Sequence, residues 1–385
     1  MNVKKIGFLA KAFCYVTLTT ACAQQHKLID KKATTETKNL YKNLFKLMDK
    51  GIMFGHQDDL AYGTTWKYEE GRSDVKDVVG DYPAIFGWDI GHIEYKKANN
   101  LDTVPFAKIR EYVKKVYDMG GVNTISWHVD NPATLQHAWD NTEATTSILP
   151  GGKNNARYTE WLDNVATFLK SLKGSDGKAV PILFRPYHEL NGDWFWWGKK
   201  STTVKDYVAL WKFTVHYLRD KKNVHNLIYI YNTNTFSDTK EYMERYPGDD
   251  YADVVSFDNY QFAKLGSDQS ELALSSAKYM AQVKNGLRIL DSVATKHNKL
   301  PTFAETGFEV IPAKDWWTQT LWDTIKDFKI SYVLVWRNNG YTEADKQSHY
   351  YAPYTGQVSA DNFKDFYKLD RTLFEKDVAK QHLYK

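Results

Sequence analysis

The chain has 385 residues, which allows one large domain or two ordinary ones, and no low-complexity linker divides it, so one domain is the better prediction. Its 51 Lys and Arg residues nearly balance its 47 Asp and Glu residues, which excludes a basic stripe for nucleic acid and an acidic tail and favours a neutral partner. Aromatic residues make up 15% of the chain, more than burial requires, and this excess favours a surface that stacks on flat ligands.

The first 23 residues have the pattern of an export signal. Lys4 and Lys5 precede an apolar stretch from Ala12 to Leu18, which is too short to span a bilayer, and small residues follow it. We therefore predict a signal peptide over residues 1–23, an exported bacterial protein and no transmembrane span.

Two cleavage sites fit this segment. Ala21-Cys22-Ala23 reads as a signal peptidase site, whereas the residues before Cys22 resemble a lipoprotein signal, in which Cys22 would carry a lipid anchor. The first cut predicts a periplasmic protein and the second an outer-membrane lipoprotein. The only other cysteine, Cys14, lies in the same segment, so the mature chain should have neither a disulfide nor a cysteine nucleophile.

Short β-branched or aromatic runs alternate with longer stretches of helical spacing through the rest of the chain. The predicted strands are Ile52–His56, Ala84–Ile90, Val122–His128, Val180–Tyr187, Leu227–Asn232, Val254–Tyr260, Thr302–Thr306 and Tyr332–Trp336. The predicted helices are Thr35–Asp49, Pro105–Met119, Tyr158–Leu172, Val204–Asp220, Thr239–Glu244, Ser270–Lys296, Ala313–Asp327 and a closing helix at Asn362–Asp377. Eight such units over residues 24–385 predict a single (β/α)8 TIM barrel of the α/β class. No glycine-rich loop follows a strand, which weakens a dinucleotide-binding alternative.

Polar and aromatic residues stand at the end of every predicted strand. They are His56, Gln57, Asp89, His92, Trp127, His128, Asn131, Glu189, Asn232, Asn234, Asp258, Asn259, Tyr260, Glu305, Trp336 and Arg337. Because the catalytic groups of such barrels lie at the C-terminal ends of the strands, this concentration predicts a groove on that face.

The stretch FRPYHELNGDWFWWG, residues 184–198, has the mixture of groups that a sugar site needs. Glu189 lies among Arg185, His188 and Asn191, and Trp194, Trp196 and Trp197 follow it. Aromatic rings suit the apolar faces of a pyranose, the amide, imidazole and guanidinium bond its hydroxyls, and a carboxyl can supply a proton.

A second acid, Glu305, closes the seventh strand in PTFAETGF. Hydrolysis of a glycosidic bond needs two carboxyl groups, and the ends of strands four and seven can direct Glu189 and Glu305 at one sugar. A separation of about 5 to 5.5 Å would mean retention of configuration, and one of about 6.5 to 9.5 Å would mean inversion. The sequence leaves this separation open. Two acids so close should share one proton in the free enzyme.

Two other classes of function deserve consideration. A metal-dependent barrel hydrolase could use a cluster drawn from His56, Asp58, Asp89, His92, His128 and Asp130, and loss of activity with a chelator would favour it. A carbohydrate-binding protein that has lost the chemistry would keep the aromatic groove, but the presence of both glutamates argues against it.

The chain resembles glycoside hydrolase family 26, a family made up mostly of β-mannanases in the retaining barrel clan. The motifs that carry the resemblance are MFGHQDD, FGWDIGHIEY, SWHVDNP, HELNGDWFWWG, SFDNYQ, FAETGF and VLVWRNN, and they cover essentially all of the mature chain. Most of that clan has Asn directly before the acid/base Glu, whereas this family has His there, as does His188.

The resemblance implies a role for each residue that matches a family motif. Glu189 would be the acid/base and Glu305 the nucleophile. Substrate-binding roles are implied for seven further residues. Arg185 would hold Glu305, and Tyr260 would bond to the same acid. His188 would lie near the sugar C2, with His128 and Trp336 at the sugar of the cleaved bond, Trp194 at the leaving-side sugar and Arg337 at the next sugar on the nonreducing side. The roles of His56, Asp89 and His92 stay open.

The implied activity is endo-β-1,4-mannanase cleavage of mannan or galactomannan, with a covalent intermediate and with neither a metal nor a cofactor. A β-1,3-xylanase or mixed-linkage glucanase is the alternative within the family, and Arg337 beside Trp336 favours mannan and short products such as mannobiose. The partner would be the polysaccharide or its oligosaccharides, and a monomer is expected.

Overall fold

A closed ring of parallel strands forms the centre of the protein in a computed structural model that describes residues 26–264, 266–342 and 346–385. The strands are β1 (Ile52–Gln57), β2 (Ile85–Asp89), β3 (Val122–Trp127), β4 (Ile182–Pro186), β5 (Leu227–Thr233), β6 (Val254–Gln261), β7 (Leu300–Phe308) and β8 (Tyr332–Val335). Neighbours pair in chain order and β1 also pairs with β8, which closes the sheet. The predicted (β/α)8 barrel is confirmed.

Helices follow the strands and cover the outside of the ring. Their bounds are α1 (Thr35–Leu47), α2 (Asp74–Val79), α3 (Phe106–Met119), α4 (Thr145–Ile148), α5 (Asn155–Ser171), α6 (Val204–Val215), α7 (Thr239–Met243), α8 (Gln269–His297), α9 (Asp323–Ile325), α10 (Ala360–Tyr367) and α11 (Glu375–Ala379). A 3-10 turn spans Ile93–Tyr95, and π-helical turns span His216–Lys221 and Trp316–Trp322. Strand β9 (Gly340–Thr342) pairs antiparallel with β10 (Gln347–His349), and β11 (Thr372–Leu373) pairs with β1.

Helix α1 packs against the end of the barrel opposite the groove. Leu40 and Leu44 of this helix belong to the same buried cluster as Met53 and Leu183 on the strands. The Tyr41 hydroxyl donates to the backbone carbonyl of Asp253 at 2.8 Å. Each buried aliphatic side chain contributes about 1.5 to 3 kcal/mol to the stability of the fold, so this contact anchors the helix. The opposite end of the barrel stays open to ligands.

Several predicted elements differ from the structure in type or length. The predicted closing helix at Asn362–Asp377 is wrong as one element. Thr372 and Leu373 form β11, which pairs with β1 and separates α10 from α11. The predicted helix at Ala313–Asp327 is π-helical at Trp316–Trp322 and α-helical only at Asp323–Ile325. Strand β7 extends beyond the predicted Thr302–Thr306 at both ends, because it pairs with β6 along almost its full length.

Two predictions concern residues that the structure does not describe. The export signal at residues 1–23 and the lipid anchor at Cys22 lie outside the described residues. Within residues 26–264, 266–342 and 346–385, no helix combines the length and apolar composition needed to cross a membrane.

Candidate active site

The turn after β4 places His188 and Glu189 at the C-terminal rim of the barrel. Tyr187 and Glu189 both have left-handed backbone conformations, with φ of 50° and 52°. This conformation is costly for residues other than glycine and is maintained by the surrounding structure. Part of that support comes from Trp197, whose indole N–H donates to the His188 carbonyl at 2.8 Å, and from Trp196, whose N–H donates to Val129 at 3.0 Å.

Only one of the three tryptophans in this stretch is accessible to a ligand. Trp196 and Trp197 are fully buried, whereas Trp194 is 37% exposed. The first two therefore support the turn and cannot stack on a sugar. Trp194 lies beside Glu189, to which its indole N–H donates at 2.8 Å.

A bulge in β7 brings Glu305 to the interior of the barrel. Phe257 of β6 pairs with Phe303, but the next residue, Asp258, pairs with Glu305, so Ala304 is an extra residue on β7. In a regular strand, residues two apart point to the same side, and Glu305 would follow Phe303 outward. The extra residue instead turns Glu305 toward Asp258, a change of direction that bulges near active sites often produce.

The predicted pair of acids meets at one place. Carboxylate oxygens of Glu189, Asp258 and Glu305 all lie within 4.8 Å of one another. This upper limit on the oxygen separation fits the short spacing of retaining glycosidases, about 5 to 5.5 Å between carboxyl groups. The condition on which the hydrolase hypothesis depends is therefore met.

Glu305 is held by two donors. Arg185 pairs with one of its carboxylate oxygens, and the Tyr260 hydroxyl donates to the other at 2.8 Å. Arg185 also pairs with Asp258 at 3.2 Å, and it is buried with both acids. A guanidinium and a hydroxyl that both donate to a carboxylate stabilise its charged form.

Glu189 has a different environment. It accepts from the amide of Asn234 at 2.9 Å and from the indole of Trp194 at 2.8 Å. Desolvation by the surrounding protein, followed by the negative charge of Glu305, raises the pKa of Glu189 to about 7. The two neighbouring acids thus have different surroundings, and burial beside Glu305 favours the protonated form of Glu189 up to neutral pH.

Asp258 is a third carboxylate in the cluster, and it had no predicted role. It accepts from the Asn232 amide at 2.7 Å and from Arg185. Burial, followed by the charge of Glu305, raises its pKa well above the usual range. Its position at a strand end in SFDNYQ was visible in the sequence, but its contact with Arg185 depends on the pairing of distant strands.

Two histidines cover the side of the cluster next to β3. His128 Nδ1 forms a hydrogen bond with Asp89 at 2.7 Å, and although burial opposes charge on this imidazole, the carboxylate raises the pKa of His128. Ser126 donates to the same carboxylate at 2.7 Å. Burial and the charge of Arg185 lower the pKa of His188, which is therefore neutral at ordinary pH. Asp89, whose role was open, orients His128.

Aromatic rings line the groove around these histidines. Trp336 is half-buried, and its ring centre lies 6.4 Å from that of His128. Trp139 was not predicted, yet it is 45% exposed and stacks on His128 with ring centres 5.4 Å apart. The sequence signal that could have identified Trp139 was its position in a polar loop just after β3. Trp336, Trp139 and Trp194 offer flat faces to a ligand.

Arg337 lies next to Trp336 and pairs with Asp102 in the loop after β2. The same surroundings include Tyr62, whose hydroxyl donates to Asp58 at 2.6 Å. Burial, followed by the charge of Asp102, raises the pKa of Asp58 to about 8. Asp102 was not predicted, because it is the partner of a residue some 235 positions away in the sequence.

The residues considered for a metal cluster do not converge. His56 pairs with Asp59 at 2.8 Å, Asp58 accepts from Tyr62, and Asp89 binds His128. In the described part of the chain, one group of three potential ligands lies within 4.8 Å, and it is Glu189, Asp258 and Glu305. Because Arg185 already pairs with two of these acids, a cation there would meet a fixed positive charge.

Comparison with known proteins agrees with this geometry. The sequence profile of glycosyl hydrolase family 26 matches residues 29–339. A solved family 26 β-mannanase from Bacteroides ovatus is 44% identical, with a TM-score of 0.84 over 91% of this chain and 98% of that one. An endo-β-1,4-mannanase catalytic domain from Bacillus sp. JAMB-750 is 32% identical, with a TM-score of 0.82 over 93% and 96% of the two chains.

Curated relatives are similar over part of their length. A mannan endo-1,4-β-mannosidase from Bifidobacterium adolescentis is 33% identical over 284 residues, which cover 72% of this chain and 27% of that protein. A Bacillus subtilis protein of the same name is 30% identical over 217 residues, or 54% of this chain and 57% of that protein. The match thus spans between about a quarter and somewhat over half of these relatives. The chain belongs to glycosyl hydrolase family 26.

Proposed function

We propose that this protein is a retaining endo-β-1,4-mannanase, with Glu305 as nucleophile and Glu189 as acid/base. The observation that carries the proposal is the difference in surroundings between these two acids, whose carboxylate oxygens lie within 4.8 Å of each other. Glu305 is paired with Arg185 and Tyr260, whereas the pKa of Glu189 is raised to about 7. A charged acid beside a protonated one is the state that a double displacement requires.

In the first step, Glu305 attacks the anomeric carbon while Glu189 protonates the departing glycosidic oxygen. Esterification removes the negative charge of Glu305, and that charge is one of the causes that raise the pKa of Glu189. The pKa of Glu189 therefore falls in the intermediate, and the residue can act as a base. In the second step it accepts a proton from the water that attacks the glycosyl-enzyme.

The surrounding residues are proposed to bind the sugars on either side of the cleaved bond. Trp336, His128 and His188 would hold the sugar that Glu305 attacks, with the neutral His188 near its C2 hydroxyl. Trp194 would stack on the leaving-side sugar, since its ring is exposed and its N–H is bonded to the acid. Arg337, held by Asp102, would bind the next sugar toward the nonreducing end.

Mannan is the proposed substrate because the relatives reported above are named as mannan-cleaving enzymes, and the xylan and glucan alternatives are not favoured. We further propose export, with residues 1–23 as signal peptide and residues 24–385 as one catalytic domain. A periplasmic monomer and a lipoprotein anchored at Cys22 are the two forms to distinguish.

Product analysis tests the proposal directly. On linear and galactose-substituted mannan we expect short β-1,4-mannooligosaccharides to accumulate, whereas β-1,3-xylan and mixed-linkage glucan should not be cleaved. Proton NMR of the first products should show the β-anomer before mutarotation, because two displacements retain configuration. Initial release of the α-anomer would refute the double displacement, and binding of mannan without turnover would favour the silent binding protein.

The activity should fall as pH rises through about 7. The acid must be protonated to donate, so the alkaline side of the kcat/KM profile is expected to follow the pKa of Glu189, which is about 7. Trp194→Phe keeps an aromatic ring but removes the N–H that donates to the Glu189 carboxylate at 2.8 Å and stabilises its charged form. This variant should move the alkaline limb up by roughly half a pH unit. An unchanged or lower limb would contradict the assignment of that limb to Glu189.

A further inference from the structure

A cavity of about 920 Å³ lies between helix α1 and the chain that precedes it, at the end of the barrel opposite the active site. Five lysines surround this cavity, and we call the surface that they form the α1 face. They are Lys27, Lys31, Lys38, Lys42 and Lys46. The mechanism proposed above does not use this face.

Neighbouring acids do not neutralise these lysines. None of the five forms an ion pair with another residue that the structure describes. The three acids of residues 26–50 pair with cations outside that segment, Asp30 with His225, Glu36 with Lys178 and Asp49 with Lys329. The α1 face therefore carries an excess of positive charge.

This charge is concentrated in one short part of the sequence. Residues 26–50 contain seven lysines and three acids, whereas residues 51–385 contain 41 basic and 44 acidic residues. Lys38, Lys42 and Lys46 follow one another at a spacing of four, so they lie on one side of α1. Like charges at this spacing destabilise a helix, and an anionic partner would relieve their repulsion.

Apolar groups lie among the lysines. Leu28 and Phe45 are half-buried in the lining of the cavity, and His26 stacks on Phe45 with ring centres 3.5 Å apart. Lysine side chains can lay their apolar stems on such a surface while their ammonium groups reach outward. Apolar groups with lysines around them are typical of surfaces that rest on lipid headgroups.

The α1 face is also close in sequence to the proposed lipid anchor. His26 lines the cavity, and Cys22 precedes it by four residues. Four extended residues span at most about 14 Å, so a lipid on Cys22 would hold this face near the headgroups. The groove, at the other end of the barrel, would then point away from the membrane.

We propose that the α1 face rests on an anionic phospholipid surface, with its five lysines against the phosphate headgroups. The inference deepens the proposal of a protein anchored at Cys22. A second copy of the chain fits this face less well, because a two-fold contact would set the lysines of one copy against those of the other. Mannan is neutral and offers the lysines no charge to bind.

The test separates binding by the α1 face from anchoring by a lipid. Cys22→Ala removes the lipid attachment site and keeps Ala21 and Ala23 of the alternative cleavage site. The exported Cys22→Ala protein is mixed with vesicles of phosphatidylcholine alone or with vesicles that also contain phosphatidylglycerol. We expect it to sediment with the anionic vesicles at low salt and not at high salt, because salt screens exposed charges.

In the same background, Lys38→Glu with Lys42→Glu should weaken binding to the anionic vesicles by at least about twentyfold, since each lysine near such a surface contributes a factor of roughly five. The matched control reverses two exposed cations of α8, Lys278→Glu with Arg288→Glu, and should bind as the Cys22→Ala protein does. Equal unfolding temperatures of the three proteins would show that the changes leave the fold intact.

Three results would overturn the proposal. They are no preference for anionic over neutral vesicles, an equal loss of binding in both charge-reversal variants, and a dimer that the Lys38→Glu, Lys42→Glu change dissociates, which would assign the face to a second copy. Mass spectrometry of the exported chain with Cys22 intact tests the anchor separately. A chain without lipid would refute the anchored form, whereas the vesicle assay decides on the α1 face.

Discussion

Replacing Glu305 with Gln is expected to abolish turnover on every substrate, whatever its leaving group. The amide keeps the size of the side chain but cannot form the covalent intermediate, and Arg185 loses the charge with which it pairs. Loss of a nucleophile lowers kcat by at least about four orders of magnitude. Initial rates on mannan and on a dinitrophenyl β-mannobioside, measured with the same preparation, would give the size of the effect.

Glu309→Gln is the control for this experiment, since Glu309 lies four residues further along, pairs with His349 and is outside the cluster of acids. It should retain wild-type rates. Thermal unfolding of both variants separates chemistry from stability. If the Glu305→Gln protein cleaved the aryl substrate at more than about a hundredth of the wild-type rate, covalent catalysis by Glu305 would be refuted.

Glu189→Ala is expected to separate the two substrates instead of abolishing both activities. General acid catalysis is worth about 10²- to 10⁴-fold, so mannan cleavage should fall by that amount. A dinitrophenyl leaving group needs no proton, so the first step on the aryl β-mannobioside should be nearly intact. Without the base, water attacks the intermediate slowly, and a burst of dinitrophenol with a low KM should follow.

Azide provides a second readout for Glu189→Ala, because this anion needs no base to attack the glycosyl-enzyme. Added azide should restore steady-state turnover and yield a β-glycosyl azide, identified by NMR. Exposed Glu244, changed to Ala, is the control and should show neither a burst nor rescue. Equal losses on mannan and on the aryl substrate, without rescue, would mean that the roles of the two glutamates are assigned incorrectly.

The chemistry of the cluster is best explained by its charge balance. Arg185 is one positive charge among three carboxylates, and burial makes the presence of three negative charges unfavourable. The pKa of Asp258 is accordingly raised well above its usual range, and that of Glu189 is raised to about 7. Both shifts favour the protonated forms of Asp258 and Glu189, which lowers the number of negative charges buried beside Arg185.

Local patterns were sufficient for the architecture and for the choice of the two acids. Alternating runs of strand and helix character predicted the barrel, and strand-end positions identified Glu189 and Glu305. These features depend on neighbours within a few residues, such as the turn after β4. The closing helix failed as a prediction for the opposite reason, because Thr372 and Leu373 pair with Ile52 and Met53, some 320 residues earlier in the chain.

The sequence by itself determined the barrel and the choice of the two acids at strand ends, because these follow from periodicity and residue type. Only the tertiary structure decided where the acids point and what surrounds them. The extra residue Ala304 turns Glu305 inward, and its cause is the register between β6 and β7, which no local pattern encodes. Likewise, the contacts of Asp258 with Arg185 and of Asn234 with Glu189 depend on which strands the closed ring makes neighbours.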